Sequence, residues 1–163
     1  MSEVVVGFAG SRMKYWGDVW RMGWKIYELI WKILDIIGEV YCRSDMCIEV
    51  HHGAHPLSVD SIVSCISSYH PKVSGEVAHP PDDWSSRECL LKRDRELVED
   101  CDIIVTIFVN RLTRGTKYVE ELARRLGKQY VSYMVTSSSI RVLDYRLSDR
   151  LIKLINIAQL LKH

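Results

Sequence analysis

The 163-residue chain lacks an excess of either charge, a long unbroken apolar run and any low-complexity tract. With 22 Lys+Arg against 21 Asp+Glu the formal net charge is +1, which removes the general electrostatic pull toward nucleic acid that a strongly basic domain exerts. The greasiest stretch, 26–40, is interrupted by Glu28, Lys32, Asp35 and Glu39, so it does not read as a bilayer span. Nine glycines and four prolines are scattered, without a repeat or a linker. Five cysteines (Cys42, Cys47, Cys65, Cys89, Cys101) are odd in number and dispersed, which suits reduced intracellular thiols better than a disulfide framework. Cys42 and Cys47 are still able to pair where the cytosol is oxidising. The N-terminus enters the apolar run 4–8 without a basic leader or cleavage site, so a cytoplasmic location is expected.

What is present suffices for a core. Apolar residues make up 47% of the chain, too many for disorder. A domain near ~150 residues buries about 68–70% of its unfolded surface without a metal or disulfide staple. One domain over residues 1–163 is expected.

Segments of strand and helix character alternate. Residues 3–9 form an apolar run of the kind buried on both faces of a parallel sheet. Residues 16–41 have helical spacing, and 46–51 read as a second strand. Ser58 offers an N-cap to a helix with Val59, Ile62, Val63, Ile66 and Tyr69 on one stripe. Residues 73–78 alternate weakly around Gly75, which places a third strand toward a sheet edge. Pro80 and Pro81 enforce an extended loop, and Ser85-Ser86-Arg87-Glu88 reads as a capping box opening a helix to about residue 100. The run 102–108, apolar apart from Asp102 and Thr106, is expected to be central. A helix over 116–126 is capped by Thr116 and stopped by Gly127. Residues 130–135 form a fifth strand, 136–139 a loop, and Ser148 caps a last helix over about 148–161. The alternation predicts an α/β fold: a Rossmann-like open, mainly parallel sheet of about five strands with helices on both faces.

In such folds ligands bind beyond the carboxyl ends of the strands, where the connections change direction. That rule singles out loops 10–13, 52–57, 80–84 and 110–116. In the first, Gly10 permits a tight turn, and Ser11 and Arg12 project a hydroxyl and a guanidinium whose rigid fork suits phosphate. In the last, Gly115-Thr116 opens a helix whose free amides and positive dipole end suit an anion, with Arg111, Arg114 and Lys117 alongside. Basic residues are unfavourable at a helix start on their own, so the cluster favours a bound anion. On the helix 87–100, Leu90, Leu91, Leu97, Val98 and Cys101 set the inward face. Asp94 falls on that stripe beside Arg93, where a charge is either paired or functional.

Five elements in fixed order carry a family likeness. They are Gly10-Ser11-Arg12 after the first strand, Gly53-Ala54 with Asp60 after the second, and Pro81-Asp82-Asp83-Trp84 after the third. Arg93-Asp94-Arg95-Glu96 on the next helix and the helix start Gly115-Thr116 complete the set. Over roughly residues 4–135 the chain resembles the SLOG superfamily, which includes the Smf/DprA proteins and the LOG phosphoribohydrolases, and most closely its small YspA-like branch. The resemblance implies a Rossmann-like domain that binds a nucleotide or nucleotide-derived small molecule through Gly10, Ser11, Arg12, Gly53, Ala54, Trp84, Arg93, Arg114, Gly115 and Thr116. In the LOG enzymes an Arg on this helix and a Glu after the Gly-Thr serve cleavage of a base from a ribose 5′-phosphate, and those catalytic positions fall on Arg93 and Glu120.

The chain departs from the family in three places. Leu112-Thr113 stands for a glycine pair, Glu120 comes one residue late, about 100° around the helix, and the loop before Asp60 is two residues longer. Binding or sensing is therefore the leading expectation. A LOG-like nucleoside 5′-monophosphate hydrolase is the alternative, with Glu120, Glu121 or Asp60 to steady the cationic sugar. A DprA-like single-stranded nucleic-acid role is third, because 111–128 carries six Lys/Arg against two Glu but no aromatic ladder.

His51, His52 and His55, with Cys47 nearby, lie where the second strand meets the same edge. His51 and His55 have metal-like spacing, yet no second Cys/His cluster completes the set. No metal and no resident cofactor are expected, and these histidines are read as loop residues able to hydrogen-bond a base or ribose. The first helix carries two apolar stripes: Trp20, Trp24, Tyr27, Trp31 and Leu34, and Val19, Met22, Ile26, Ile30, Ile33 and Ile37. One stripe suffices to pack on a sheet. The surplus calls for a cover, from the C-terminal helix (Leu151, Ile155, Ala158) or from a second subunit, and a homodimer through 16–41 is expected.

Overall fold

The computed structural model describes residues 3–161. The elements are β1 (Val4–Gly10), α1 (Val19–Tyr41), β2 (Ile48–His52), α2 (Val59–Ser67), β3 (Val73–Ala78), α3 (Arg87–Asp100), β4 (Ile103–Val109), α4 (Arg114–Arg125), β5 (Gln129–Val135) and β6 (Ile140–Arg146). A 3-10 stretch, Asp149–Leu154, and a single-turn helix, α5 (Ile157–Leu160), follow. The strands form one sheet in the order β3-β2-β1-β4-β5-β6, with the first five parallel and β6 antiparallel. This is a Rossmann-like open α/β sheet whose order reverses between β1 and β4. No helix among the described residues is long and apolar enough to cross a membrane.

Hydrophobic burial fixes which strands lie inside. All seven residues of β4 are buried, six of them apolar and the seventh, Thr106, bonded to the Ser132 hydroxyl at 2.6 Å, whereas β3 is buried only at Val73 and takes the edge. One layer of core joins α1, α2 and the C-terminal segment to the sheet through residues such as Phe8, Ile30, Ile37, Val50, Val63, Ile107 and Leu154. The opposite layer joins α3 and α4 through Leu97, Val98, Ile104, Leu122 and Ala123. Helices therefore cover both faces.

Four expectations need correction. The sheet has six strands, because 140–146 turns back on β5 through a loop closed by Thr136 N–H donating to the Ser139 carbonyl at 2.9 Å. The final helix over 148–161 is instead a 3-10 stretch and one helical turn, and Ser148 precedes it without a side-chain cap. That segment still covers α1, burying Leu151, Leu154 and Ile157, and the Tyr133 hydroxyl donates to the Leu154 carbonyl at 2.6 Å. The cap of α3 is Ser86, whose hydroxyl accepts from Cys89 N–H at 3.3 Å, while Ser85 is bound to the Asp83 carboxylate at 2.7 Å. The helix expected from Thr116 begins at Arg114 with Thr113 as its N-cap residue, so Thr116 lies inside its first turn. Cys42, at the end of α1, and Cys47, just before β2, form a disulfide, while Cys65, Cys89 and Cys101 are free thiols.

Gly10 ends β1 where helix and strand come closest. A Cβ there would overlap Val59 of α2 and sit 2.9 Å from the Ile107 carbonyl oxygen, so close approach is what demands glycine. Gly10→Ala is expected to lower the unfolding free energy by about 1–3 kcal/mol. A fall in the urea midpoint at unchanged slope is the measurement that checks it.

Candidate functional site

At the carboxyl edge, where the order reverses, β1 and β4 leave the sheet toward helices on opposite faces. A cleft of about 250 Å³ opens there, lined among others by Gly10, Ser11, Arg12, Tyr15, Gly53, His55, Asp60, Arg93, Asp94 and residues 113–116. The strand-end rule thus places three of the four expected loops, 10–13, 52–57 and 110–116, around one opening.

Ser11 is the joint that shapes the first wall. Its N–H donates to the Ile107 carbonyl at 3.0 Å, its hydroxyl accepts from Val109 N–H at 3.0 Å, and its carbonyl accepts from Trp16 Nε1 at 3.2 Å. The Ser11 side chain is buried, and the exposed Arg12 is the residue it presents to the cleft. Asn110, in the left-handed region at φ 64°, donates through Nδ2 to the carbonyls of Tyr15 and Trp16 at 2.9 and 3.2 Å. That pair ties the chain after β1 to the end of β4.

Arg93 builds the second wall. Its Nε donates to Asp94 Oδ1 at 2.7 Å, and its Nη1 donates to the Gly53 carbonyl and, at 3.5 Å, to the His79 carbonyl. A Cβ on Gly53 would press into the guanidinium, 2.9 Å from Cζ, and lie 3.1 Å from Asp60 Oδ2. Glycine is needed here to let Arg93 in. The next residue, Ala54, is held left-handed at φ 65°, with its N–H donating to His52 Nδ1 at 3.0 Å. Asp60 Oδ2 accepts from His55 N–H at 3.1 Å.

Two carboxylates are buried in this cleft. Burial pushes Asp94 up to about 6, against the opposing pull of Arg93. Burial also raises Asp60, opposed by the His55 amide and by neighbouring cations. The His55 ring is lowered by burial and then by the Arg12 charge.

The start of α4 forms the third side. Asp18, Ser58 and Ser86 cap α1, α2 and α3 with side-chain oxygens, whereas Thr113 makes no such bond and no acidic residue occupies the first turn of α4. Gly115 and Thr116 line the cleft beside Arg114. Neither the Arg12 nor the Arg114 guanidinium has an ion-pair partner among the described residues.

Most of the expected residues converge, but three do not join this cleft directly. Ala54 and Trp84 line an adjoining open hollow of about 650 Å³, which shares Arg12 and His55 with the cleft and adds Pro56, Leu57 and Pro80. Trp84 meets the His55 ring edge-on at 5.5 Å and has the Arg93 guanidinium 5.7 Å from its centroid. Glu120 is outside both. It is buried beneath α4 and accepts from Lys117 Nζ at 2.6 Å and Arg124 Nη2 at 3.1 Å; Arg124 continues to Asp144 of β6 at 2.6 Å. Arg111 lies over the Tyr15 ring at 4.9 Å. Tyr15 and Ser58 join the lining with no warning in the motifs, whereas His55 was marked by its place at the end of the second strand and Asp94 by its place on the buried stripe. Neither a family model, nor a curated protein, nor a solved structure matches the chain.

The Asp94 proton has a measurable consequence. The folded state holds it more tightly than the unfolded chain, so stability is lost as pH rises from about 4 through about 6, by on the order of 3 kcal/mol. Asp94→Asn removes that dependence. The melting temperature of the variant relative to wild type is expected to climb by several degrees between pH 4 and pH 7, and a flat difference contradicts the assignment.

Proposed function

We propose that the cleft binds a phosphorylated, nucleotide-type small molecule and that the chain acts as a binding or sensing domain for it. One observation carries this reading: two guanidinia without ion-pair partners, Arg12 and Arg114, face the same opening as the uncapped start of α4. A phosphate would supply the negative charge that this helix start and both arginines lack. Arg93 is already committed to Gly53, His79 and Asp94, which suits it to hold the loop and Trp84 in place. The hollow floored by Leu57, Pro80 and Trp84 suits a flat base. Asp60 and Asp94 offer oxygens to ribose hydroxyls, as a buried acid does in other doubly wound folds. The likeness to the SLOG superfamily points the same way.

The hydrolase reading is weaker. Glu120 is engaged with Lys117 and Arg124 outside the cleft, which leaves Asp60 and Asp94 as the carboxylates near a bound sugar. The nucleic-acid reading loses part of its positive charge to the same network, since Lys117 and Arg124 are paired.

Thermal melts against AMP, ADP-ribose, NAD and cyclic nucleotides test the proposal. At least one is expected to stabilise the protein, by about 2.7 kcal/mol at a hundred times its Kd. Arg12→Ala and Arg114→Ala should abolish that shift. Release of free base on incubation would assign turnover. Stabilisation by single-stranded DNA alone, falling steeply with salt, would overturn the small-molecule reading.

The exposed half of α1 supports a homodimer. Its inner stripe, from Met22 to Ile37, is buried, and the C-terminal segment leaves Tyr27 and Trp31 partly covered. Trp20 and Trp24 stay 82% and 62% exposed. Light scattering at micromolar concentration should give twice the chain mass, and Trp20→Lys with Trp24→Lys should give a monomer; a monomeric wild type refutes the dimer.

A further inference from the structure

Outside the cleft, side chains from three separate elements converge beside the end of α3. His51 of β2 is buried, and its Nδ1 lies 2.7 Å from Nε2 of His79, which follows β3. That same His79 nitrogen lies 3.9 Å from Oδ2 of Asp100, the last residue of α3. The three atoms fall within 4.8 Å of one another. We infer that His51, His79 and Asp100 form a binding site for a first-row divalent cation of the zinc type.

The chemistry of the donors selects the ion. Two imidazoles and one carboxylate suit Zn²⁺ or a similar transition ion, whereas Mg²⁺ and Ca²⁺ prefer oxygen alone. Two ring nitrogens facing each other at hydrogen-bond distance need a positive centre between them, either a proton or a metal. The other nitrogen of His51, Nε2, is 2.8 Å from Oε2 of Glu49. A carboxylate there accepts a hydrogen bond from Nε2–H and leaves the Nδ1 lone pair aimed at His79, which is the carboxylate–histidine–metal arrangement.

Asp100 is exposed, so an ion enters from solvent and keeps a position for water. Glu96, one turn earlier on the same face of α3, is a further carboxylate close enough to act on His79. A tetrahedral ion with Zn–N bonds of about 2.0–2.1 Å holds its nitrogens about 3.3 Å apart. The ring of His79 therefore shifts by a little over half an ångström, roughly, on the loop between β3 and α3.

No short spacing betrays this site. The pairing of His51 with His55 does not form: His55 lines the cleft and its Nδ1 accepts from Leu57 N–H at 3.1 Å. His51 instead meets a histidine 28 positions later. The site also abuts the cleft wall, because His79 N–H donates to the His52 carbonyl at 2.8 Å and the His79 carbonyl accepts from Arg93.

The test titrates chelator-stripped full chain with Zn²⁺ by calorimetry and with Co²⁺ by visible absorption. One equivalent of Zn²⁺ at micromolar concentration or below is expected, with the intense bands of four-coordinate Co²⁺. His79→Ala and Asp100→Asn, both near the surface, should each weaken binding at least tenfold, and Glu49→Gln about tenfold. His55→Ala should bind as wild type does. Absence of stoichiometric Zn²⁺ binding in the wild type, or unchanged binding in both His79→Ala and Asp100→Asn, overturns the site; the second result would assign the metal to other donors such as the free thiols.

Discussion

Everything at the carboxyl edge follows from the reversal of strand order between β1 and β4. Chain leaving β1 enters α1 on one face of the sheet, and chain leaving β4 enters α4 on the other. The two connections diverge, so neither can fill the space between them. Burial enforces this divergence, since β1 and β4 are apolar enough to need a helix layer on both sides. The cleft is therefore a consequence of packing, and its lining decides what it can hold.

The lining divides into groups already satisfied and groups that are not. Ser11, Asn110, Gly53 and Arg93 are consumed in joining loops, through bonds to Ile107, Val109, Tyr15, Trp16, His79 and Asp94. On the far side of α4, Glu120, Arg124, Tyr130 and Asp144 close a network that ties the helix to β6. Arg12, Arg114 and the first turn of α4 remain outside such networks. Positive charge left open at a helix start is costly on its own. Its concentration around one opening, beside two buried carboxylates with raised affinity for protons, separates this edge from the rest of the surface.

Much of this was legible in the sequence where burial alone decides the outcome. The apolar runs of β1 and β4 announced central strands, and the weak alternation around Gly75 announced an edge. Loops 10–13 and 110–116 were found by the same logic, because strand ends are marked by glycine and polar residues. The misses have physical causes. Strand β6 alternates half-buried and exposed residues and includes Arg141, Asp144 and Arg146, so its apolar signal is thin. Thr116 looked like a cap because Gly115 precedes it, yet the helix runs through that glycine from Arg114. Glu120 was marked by its place after Gly-Thr, but its side chain lies on the face of α4 turned toward β6. Arg93 was found as a residue, but its bonds to the carbonyls of Gly53 and His79 were not, since no sequence pattern encodes a carbonyl's position. The same holds for His51, His79 and Asp100, which only the sheet register and the end of α3 bring together.

The most direct measurement compares two compounds that differ by one group. The nucleotide that stabilises the protein most is titrated by calorimetry beside the same compound stripped of its phosphate. The account expects the phosphorylated form to bind at least a hundredfold more tightly, a difference of about 2.7 kcal/mol, and expects Arg12→Ala to erase most of that preference. Equal affinity for both compounds, or a preference untouched by Arg12→Ala, would contradict a phosphate held at this edge.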